Sequence, residues 1–337
     1  MTNKTIVTFC CRAAFVRAVV LAFVMAPIAA LASSGTLVIS SNTILTENHF
    51  GNILINENKI TLDCNGHVVI GPGVPGFNGG IEVAGGLSGV TVRRCKVTGF
   101  GVNGIFVGGG GIDGRYEANI TYGNQNHGIH VDGARGCVVL NNTSRSNGAI
   151  GIVLTGATRS WIVHNTVEDN INWAGIALFD GSHDNVLLDN TARRNSDGYV
   201  LDVVRNNELR LNRAISNGAH GFFIRGSQND LVDSNTANQN LIGFEFTEGS
   251  NTNNIQNNVA DLNASDGFRV FMSDKNNLTQ NTADSNGNVG FIVFGGSSFN
   301  VLSRNTGHKN IAFDAYDEGS GTGNIWKNNR FDKTIGF

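Results

Sequence analysis

Asn119-Ile120-Thr121 and Asn142-Thr143-Ser144 open a frame that decides the fold. Five residues after each first Asn stands a second, Asn124 and Asn147, and then a Gly, Gly128 and Gly151, followed by alternating apolar residues. The frame returns at Asn165, Asn190, Asn212, Asn235, Asn258, Asn281 and Asn305. Counted from Asn119, the steps are 23, 23, 25, 22, 23, 23, 23 and 24 residues. A fixed period of this size marks a solenoid, whose units bury their apolar faces only by stacking on one another.

The first and third residues after each Gly are apolar throughout: Ile129 and Val131, Ile152 and Leu154, Ile176 and Leu178, Tyr199 and Leu201, Phe222 and Ile224, Phe244 and Phe246, Phe268 and Val270, Phe291 and Val293. The residues between them vary. Period two with one constant face is a strand with one side buried. A second strand precedes the ladder Asn, as in Val138-Val139-Leu140. Two or three short strands per turn predict an all-β fold, a single-stranded right-handed parallel β-helix of about eleven coils of roughly 23 residues. An Asn at the same corner of every coil predicts an amide ladder, and the Gly predicts a corner that only Gly can turn.

The composition agrees with ladder-bonded strands: 44 Gly but only 3 Pro among 337 residues. A net charge of −3 and the absence of a basic stripe exclude nucleic acid as a partner. Residues 1–32 read as a secretory signal, with Lys4, Arg12 and Arg17 before an apolar run at 18–31 and a small-x-small site at Ala30-Leu31-Ala32. About 14 apolar residues are too few to span a bilayer. The mature domain is then 33–337, with no membrane span, periplasmic or secreted, and a monomer. Cys64 and Cys95 lie about one coil apart and either bridge or stack as small apolar residues. Loops are expected to leave the stack at 71–79 and again at 108–117, and residues 324–337 to cap the open end.

The segment Ile60-Thr61-Leu62-Asp63-Cys64-Asn65-Gly66-His67, with Val90-Thr91-Val92-Arg93-Arg94-Cys95 and the coils at Asn190-Thr191-Ala192 and Asn281-Thr282-Ala283, resembles the bacterial right-handed β-helix repeat family, and in particular the catalytic module of alginate (mannuronan) C5-epimerases. The resemblance covers nearly all of 36–330 and rests on structural residues. It implies a protein that binds or processes a polysaccharide.

Even positions after each Gly point outward if the odd ones point in. They carry Glu82, Phe106, His130, Asp132, Thr155, Phe179, Asp202, Phe223, Arg225, Glu245, Thr247, Arg269, Phe271, Phe294, Asp314 and Tyr316. Rings beside acids and arginines suit a sugar groove. His130 and Asp132 are the candidate catalytic pair. In the epimerases the matching strand reads Gly-Phe-Asp-Pro-His; here Gly128-Ile129-His130-Val131-Asp132 reverses the order and lacks the Pro. Arg115 and Tyr116, on the second loop, would supply a cation or a phenol. Phe179, Asp202, Phe223, Arg225, Glu245, Arg269 and Phe271 are candidate substrate contacts, Arg because its fork matches a uronate carboxylate. Asp202 with Arg225, and Glu245 with Arg269, also read as cross-strand ion pairs. Asp180, His183 and Asp184 share a turn that offers oxygen ligands to calcium; no other cofactor and no zinc spacing is present. Three classes remain: an enzyme acting on an acidic polysaccharide as epimerase or lyase, a non-catalytic carbohydrate-binding protein, and a structural or surface β-helix.

Overall fold

The computed structural model describes residues 33–73 and 79–337, so the leader expected at 1–32 and the centre of the loop expected at 71–79 lie outside the described residues. Among these residues all named strands pair in parallel, each with the strand one coil away. They stack into a fourteen-stranded sheet, a thirteen-stranded sheet and a third sheet of ten strands, which resumes with three more. The third sheet thins where Val259 makes single bridges to Thr236 and Thr282.

The register places the odd positions inside. Ile129, Ile152, Ile176, Tyr199, Phe222, Phe244, Phe268 and Phe291 follow one another on adjacent strands and are fully buried. From Tyr199 to Phe291 the rings are stacked, 4.5 to 4.9 Å apart and within 5° of parallel.

About thirteen turns are present, not eleven. The uncounted ones lack the Asn and Gly signature: Leu37 pairs with Ile53 only 16 residues on, and Thr334–Ile335 pairs with Ala315 and Tyr316. Residues 324–337 accordingly add strands Ile325–Lys327, Arg330–Phe331 and Thr334–Ile335 to the stack, with Trp326 and Phe337 stacked at 4.3 Å. The loop expected at 108–117 is also a coil. Arg115–Glu117 is a regular strand between Thr91–Arg93 and Val138–Leu140, and Tyr116 is buried in the interior.

From Asn142 to Asn305 each ladder Asn donates its side-chain amide to the next coil's Asn Oδ1, as Asn212 to Asn235 at 3.0 Å and Asn235 to Asn258 at 3.0 Å. The same amide reaches back to a carbonyl of the preceding coil, Leu209 for Asn235. Asn124 through Asn310 form a second ladder, which ends on Asp314. Asp314, expected on the outer face, is therefore a buried ladder terminus. A third ladder, Asn185, Asn207, Asp230, Asn253, Asn276, Asn300 and Asn324, carries one acid.

The Gly before each strand has a different cause from the one expected. Gly198, Gly221 and Gly243 do not have a positive φ; the left-handed corners are held by residues such as Asn141, Ser146 and His164. A Cβ on Gly221 would instead lie 2.6 Å from the carbonyl oxygen of Gly243 and 2.7 Å from the Cβ of Ala237. Close approach of adjacent coils excludes the side chain.

Cys64 and Cys95 form a disulfide. Both Arg93 and Arg94 close on the carboxylate of Asp63 beside it. Cys137 is buried, its thiol pushed up to about 11 by desolvation. Among the described residues no helix is long and apolar enough to cross a membrane.

Candidate functional site

The even positions of the fourteen-stranded sheet form one outer face. His130, Val153, Ala177, Val200, Phe223, Glu245, Arg269, Ile292 and Tyr316 follow one another along it, one coil apart. Four rungs separate His130 from Phe223 and Arg225, roughly 19 Å at the usual strand spacing. The candidate residues therefore divide into two groups.

The first group surrounds His130, on strand Ile129–Asp132. Thr155 on the next rung joins the pair: its hydroxyl donates to Asp132 Oδ1 at 2.8 Å and lies 2.9 Å from His130 Nε2. Since the only hydroxyl proton goes to Asp132, His130 Nε2 donates to Thr155 Oγ1 and Nδ1 keeps the lone pair. Asn103 Nδ2 faces that lone pair at 3.5 Å. Phe106 meets the imidazole edge-on at 5.2 Å, and His127 does so at 5.4 Å. Burial holds the pKa of His130 below its usual value, opposed by the charge of Asp132. Burial, with His130 beside it, brings His127 down to about 4. His127 Nδ1 accepts the N–H of Ile150 at 3.2 Å. Near neutrality both rings are uncharged. Together with Gly79, Glu82, Val102, Asn103, Phe106 and Asn126 they line an open cleft of about 370 Å³. Neither Arg115 nor Tyr116 can serve it, since both lie on the thirteen-stranded sheet.

The second group holds one ion pair and, beside it, a chain of acids and bases. Arg225 grips Asp202 through Nε at 2.9 Å and Nη2 at 2.5 Å. Arg269 binds Asp266, three residues earlier, at 3.0 and 2.5 Å, and Glu245 only at 3.8 Å. Glu245 is taken by His220, whose Nε2 is 2.9 Å from Oε2 while Nδ1 is 2.8 Å from Asp197 Oδ1. The pairing expected between Glu245 and Arg269 is thus secondary, because the buried Asp266 takes both Nε and Nη2 of the guanidinium on its Oδ2, while its Oδ1 accepts from Asn288 and Val289. Both arginines are already paired with carboxylates of the protein. Phe223 lies under the His220 ring at 4.7 Å, Phe179 against Trp173 at 5.5 Å, and Phe271 against Phe294 at 4.7 Å.

Asp197, His220 and Asp266 escaped the sequence reading. Each immediately precedes the frame Gly, as does His127, so a titratable column was visible at the 23-residue period. Strict alternation was not carried through the Gly, where the chain bends and the preceding residue joins the outer face.

Burial would lower the pKa of His220, but hydrogen bonds to Asp197 and Glu245 outweigh it and raise the group to about 9. A folded-state pKa above the unfolded 6.5 gives stability that is fully present below pH 6.5 and lost as pH rises through about 9, about 3 kcal/mol in all. His220→Gln is expected to remove that pH dependence. Urea midpoints of both proteins between pH 6 and 10 measure it; parallel curves would show that the network does not hold the proton.

At the calcium turn, His183 Nδ1 contacts Asp184 Oδ2 at 3.0 Å, and among the described residues no group of three or more His, Cys, Asp or Glu could hold a metal ion.

A family model described as a right-handed β-helix region matches residues 103–259 and 206–307, together more than half of the chain. The chain belongs to the right-handed β-helix family. No curated protein sequence matches it. Among solved structures, this β-helix chain is similar to a mutant of the periplasmic alginate epimerase AlgG, at TM-score 0.64 and 15% identity, over 88% of this chain and 77% of that one. The mannuronan C-5 epimerase AlgE4 A-module of Azotobacter vinelandii gives 0.57 and 16%, over 91% and 87%. The Dettilon tailspike protein gives 0.58 and 12%, over 87% of this chain but only 61% of the tailspike. At these identities the likeness shows the fold alone. The β-helix places all seven sequence-derived substrate contacts on one face, but with the two arginines already paired.

Proposed function

We propose that this protein binds a polysaccharide along the outer face of the fourteen-stranded sheet and modifies an acidic sugar in the His130 cleft, as an epimerase or lyase does. One observation carries the reading: a neutral histidine lines an open cleft, with only the long contact from the Asn103 amide at its Nδ1 lone pair and with Thr155 and Asp132 behind Nε2. Proton abstraction from the sugar carbon next to a carboxyl group needs such a base, and the imidazolium formed is stabilised through Thr155 by Asp132. Return of a proton to the opposite face gives epimerisation; departure of the neighbouring glycosidic oxygen gives elimination. The carboxylate-holding role leaves Arg225 and Arg269 and passes to the amides of Asn103 and Asn126, which donate without charge. The likeness in shape to two alginate-type epimerases and a tailspike supports a polysaccharide as the partner. The leader expected at 1–32 and the Cys64–Cys95 disulfide support a periplasmic or secreted location, and the ladder fold needs no second copy.

A second reading, a carbohydrate-binding protein without turnover, is favoured by the absence of any Lys or Arg among the described residues that line the cleft. Incubation with a panel of uronate polymers separates the two, following absorbance of unsaturated ends and C5 configuration by NMR. His130→Ala is expected to lose turnover by at least about a hundredfold while binding stays within a few fold. Full turnover in His130→Ala sinks the assignment; binding without turnover in the unaltered protein selects the second reading.

A further inference from the structure

We infer that Trp173 is a sugar-stacking platform for the same glycan, two coils along the axis from His130; the inference rests on the polysaccharide reading above. The coil from Asn165 to Asn190 takes 25 residues where its neighbours take 23 and 22. One of the two extra residues falls in the turn between Phe179 and His183, and the other among Asn170, Ile171, Asn172 and Trp173, just before strand Ala174–Phe179. This short excursion is tied down by Asn172, whose amide donates to the carbonyl of Gly148 at 3.0 Å. Ile171 and Trp173 are left 72% and 46% exposed.

Trp173 stands on the same edge of the sheet as the cleft residues. His127, Ile150 and Ala174 are successive neighbours there: Ile150 donates its N–H to His127, and Gly151 donates to the carbonyl of Ala174. From that edge the indole reaches across the strand to the Phe179 ring at 5.5 Å and an angle of 39°. Beneath lies a second, outer apolar cluster, Ile150, Val153, Ala174, Ala177 and Val200, with Phe179 and Phe223 packed against it. Residues that alternation directs to solvent are thus buried, and none of them bears a charge. Val153 is the rung next to His130, so this floor runs on from the cleft.

The spacing matches the ligand. Two rungs are about 9.5 Å, close to the advance of two pyranose residues in an extended chain. A sugar bound at His130 would therefore place a neighbour two residues along on the indole. An uncharged aromatic surface takes the apolar face of a pyranose, whose C–H groups meet the ring while the hydroxyls stay in water. No charged side chain of the platform selects between acidic and neutral sugars, so Trp173 sets the length of glycan held and leaves recognition of the reacting residue to the cleft.

A size series of uronate oligosaccharides, dimer to octamer, tests this by titration calorimetry against the unaltered protein, Trp173→Ala and Trp173→Phe. Affinity for the unaltered protein is expected to step up once the oligomer spans both positions. Trp173→Ala should abolish the step, a loss of about tenfold or more for long oligomers with none for short ones, and Trp173→Phe should restore part of it. Equal affinities for Trp173→Ala and the unaltered protein at every length would overturn the platform while leaving the His130 reading intact. Failure of the unaltered protein to bind any oligomer would remove both.

Discussion

Replacing Phe244 by Ala is expected to cost roughly 3–5 kcal/mol of stability, the range for removing a large ring from a packed core. Its ring lies between Phe222 at 4.6 Å and Phe268 at 4.8 Å, nearly parallel to both, and all three are fully buried. The hole left behind is walled by neighbours that the ladder holds at fixed spacing, since Asn235, Asn258 and Asn281 bond across the same coils. Collapse into the hole would break those bonds, so the cavity term stays large. Phe244→Leu should recover part of the loss. Urea denaturation gives the number; a cost under about 1 kcal/mol would show that the interior row is not under packing constraint.

Asp230→Asn is expected to stabilise the protein by about 4 kcal/mol above pH 7 and by nothing near pH 4. Asp230 occupies the position of Asn207 and Asn253 in the third ladder. Its Oδ1 accepts from the backbone N–H and side-chain amide of Asn207 at 2.7 and 3.2 Å, but Oδ2 is buried without a partner. At the same place Asn207 and Asn253 each turn an amide N–H toward a carbonyl of the preceding coil. A carboxylate there has an acceptor where the ladder supplies a donor. Desolvation raises its pKa to about 7. A folded-state value above the unfolded 3.8 means that the cost is absent below pH 3.8 and grows as pH rises through about 7. The neutral acid carries a proton and can donate as Asn does; the amide donates at every pH. Urea midpoints for both proteins at pH 4 and pH 8 test this, and equal stability at pH 8 would contradict it.

The interior was legible because it obeys one rule repeated at one period. The residues after the Gly alternate, and the ring row from Phe222 to Phe291 was readable from that alternation before any coordinates. Misreadings fell where local composition imitated another cause. The Gly frame looked like left-handed corners because a Gly supplies positive φ; it is required by a carbonyl 2.6 Å from the missing Cβ, a distance between coils that no single-coil pattern carries. The segment 108–117 looked like a loop because it is rich in Gly, yet Tyr116 fills the interior as its neighbours do. In the outer face, His130 and Asp132 were placed correctly by parity, but Thr155 between them was visible only as another outward residue. Whether Arg269 meets Glu245 or Asp266 depends on side-chain reach at fixed register, which sequence spacing leaves open.

Incubation of the protein with uronate polymers in deuterium oxide tests the central claim most directly. Proton abstraction by His130 predicts deuterium at C5 of the recovered sugars, or unsaturated ends in its place, with the unaltered protein and not with His130→Ala. A panel in which no uronate polymer gains deuterium or unsaturation, or in which His130→Ala exchanges as fast as the unaltered protein, would contradict it.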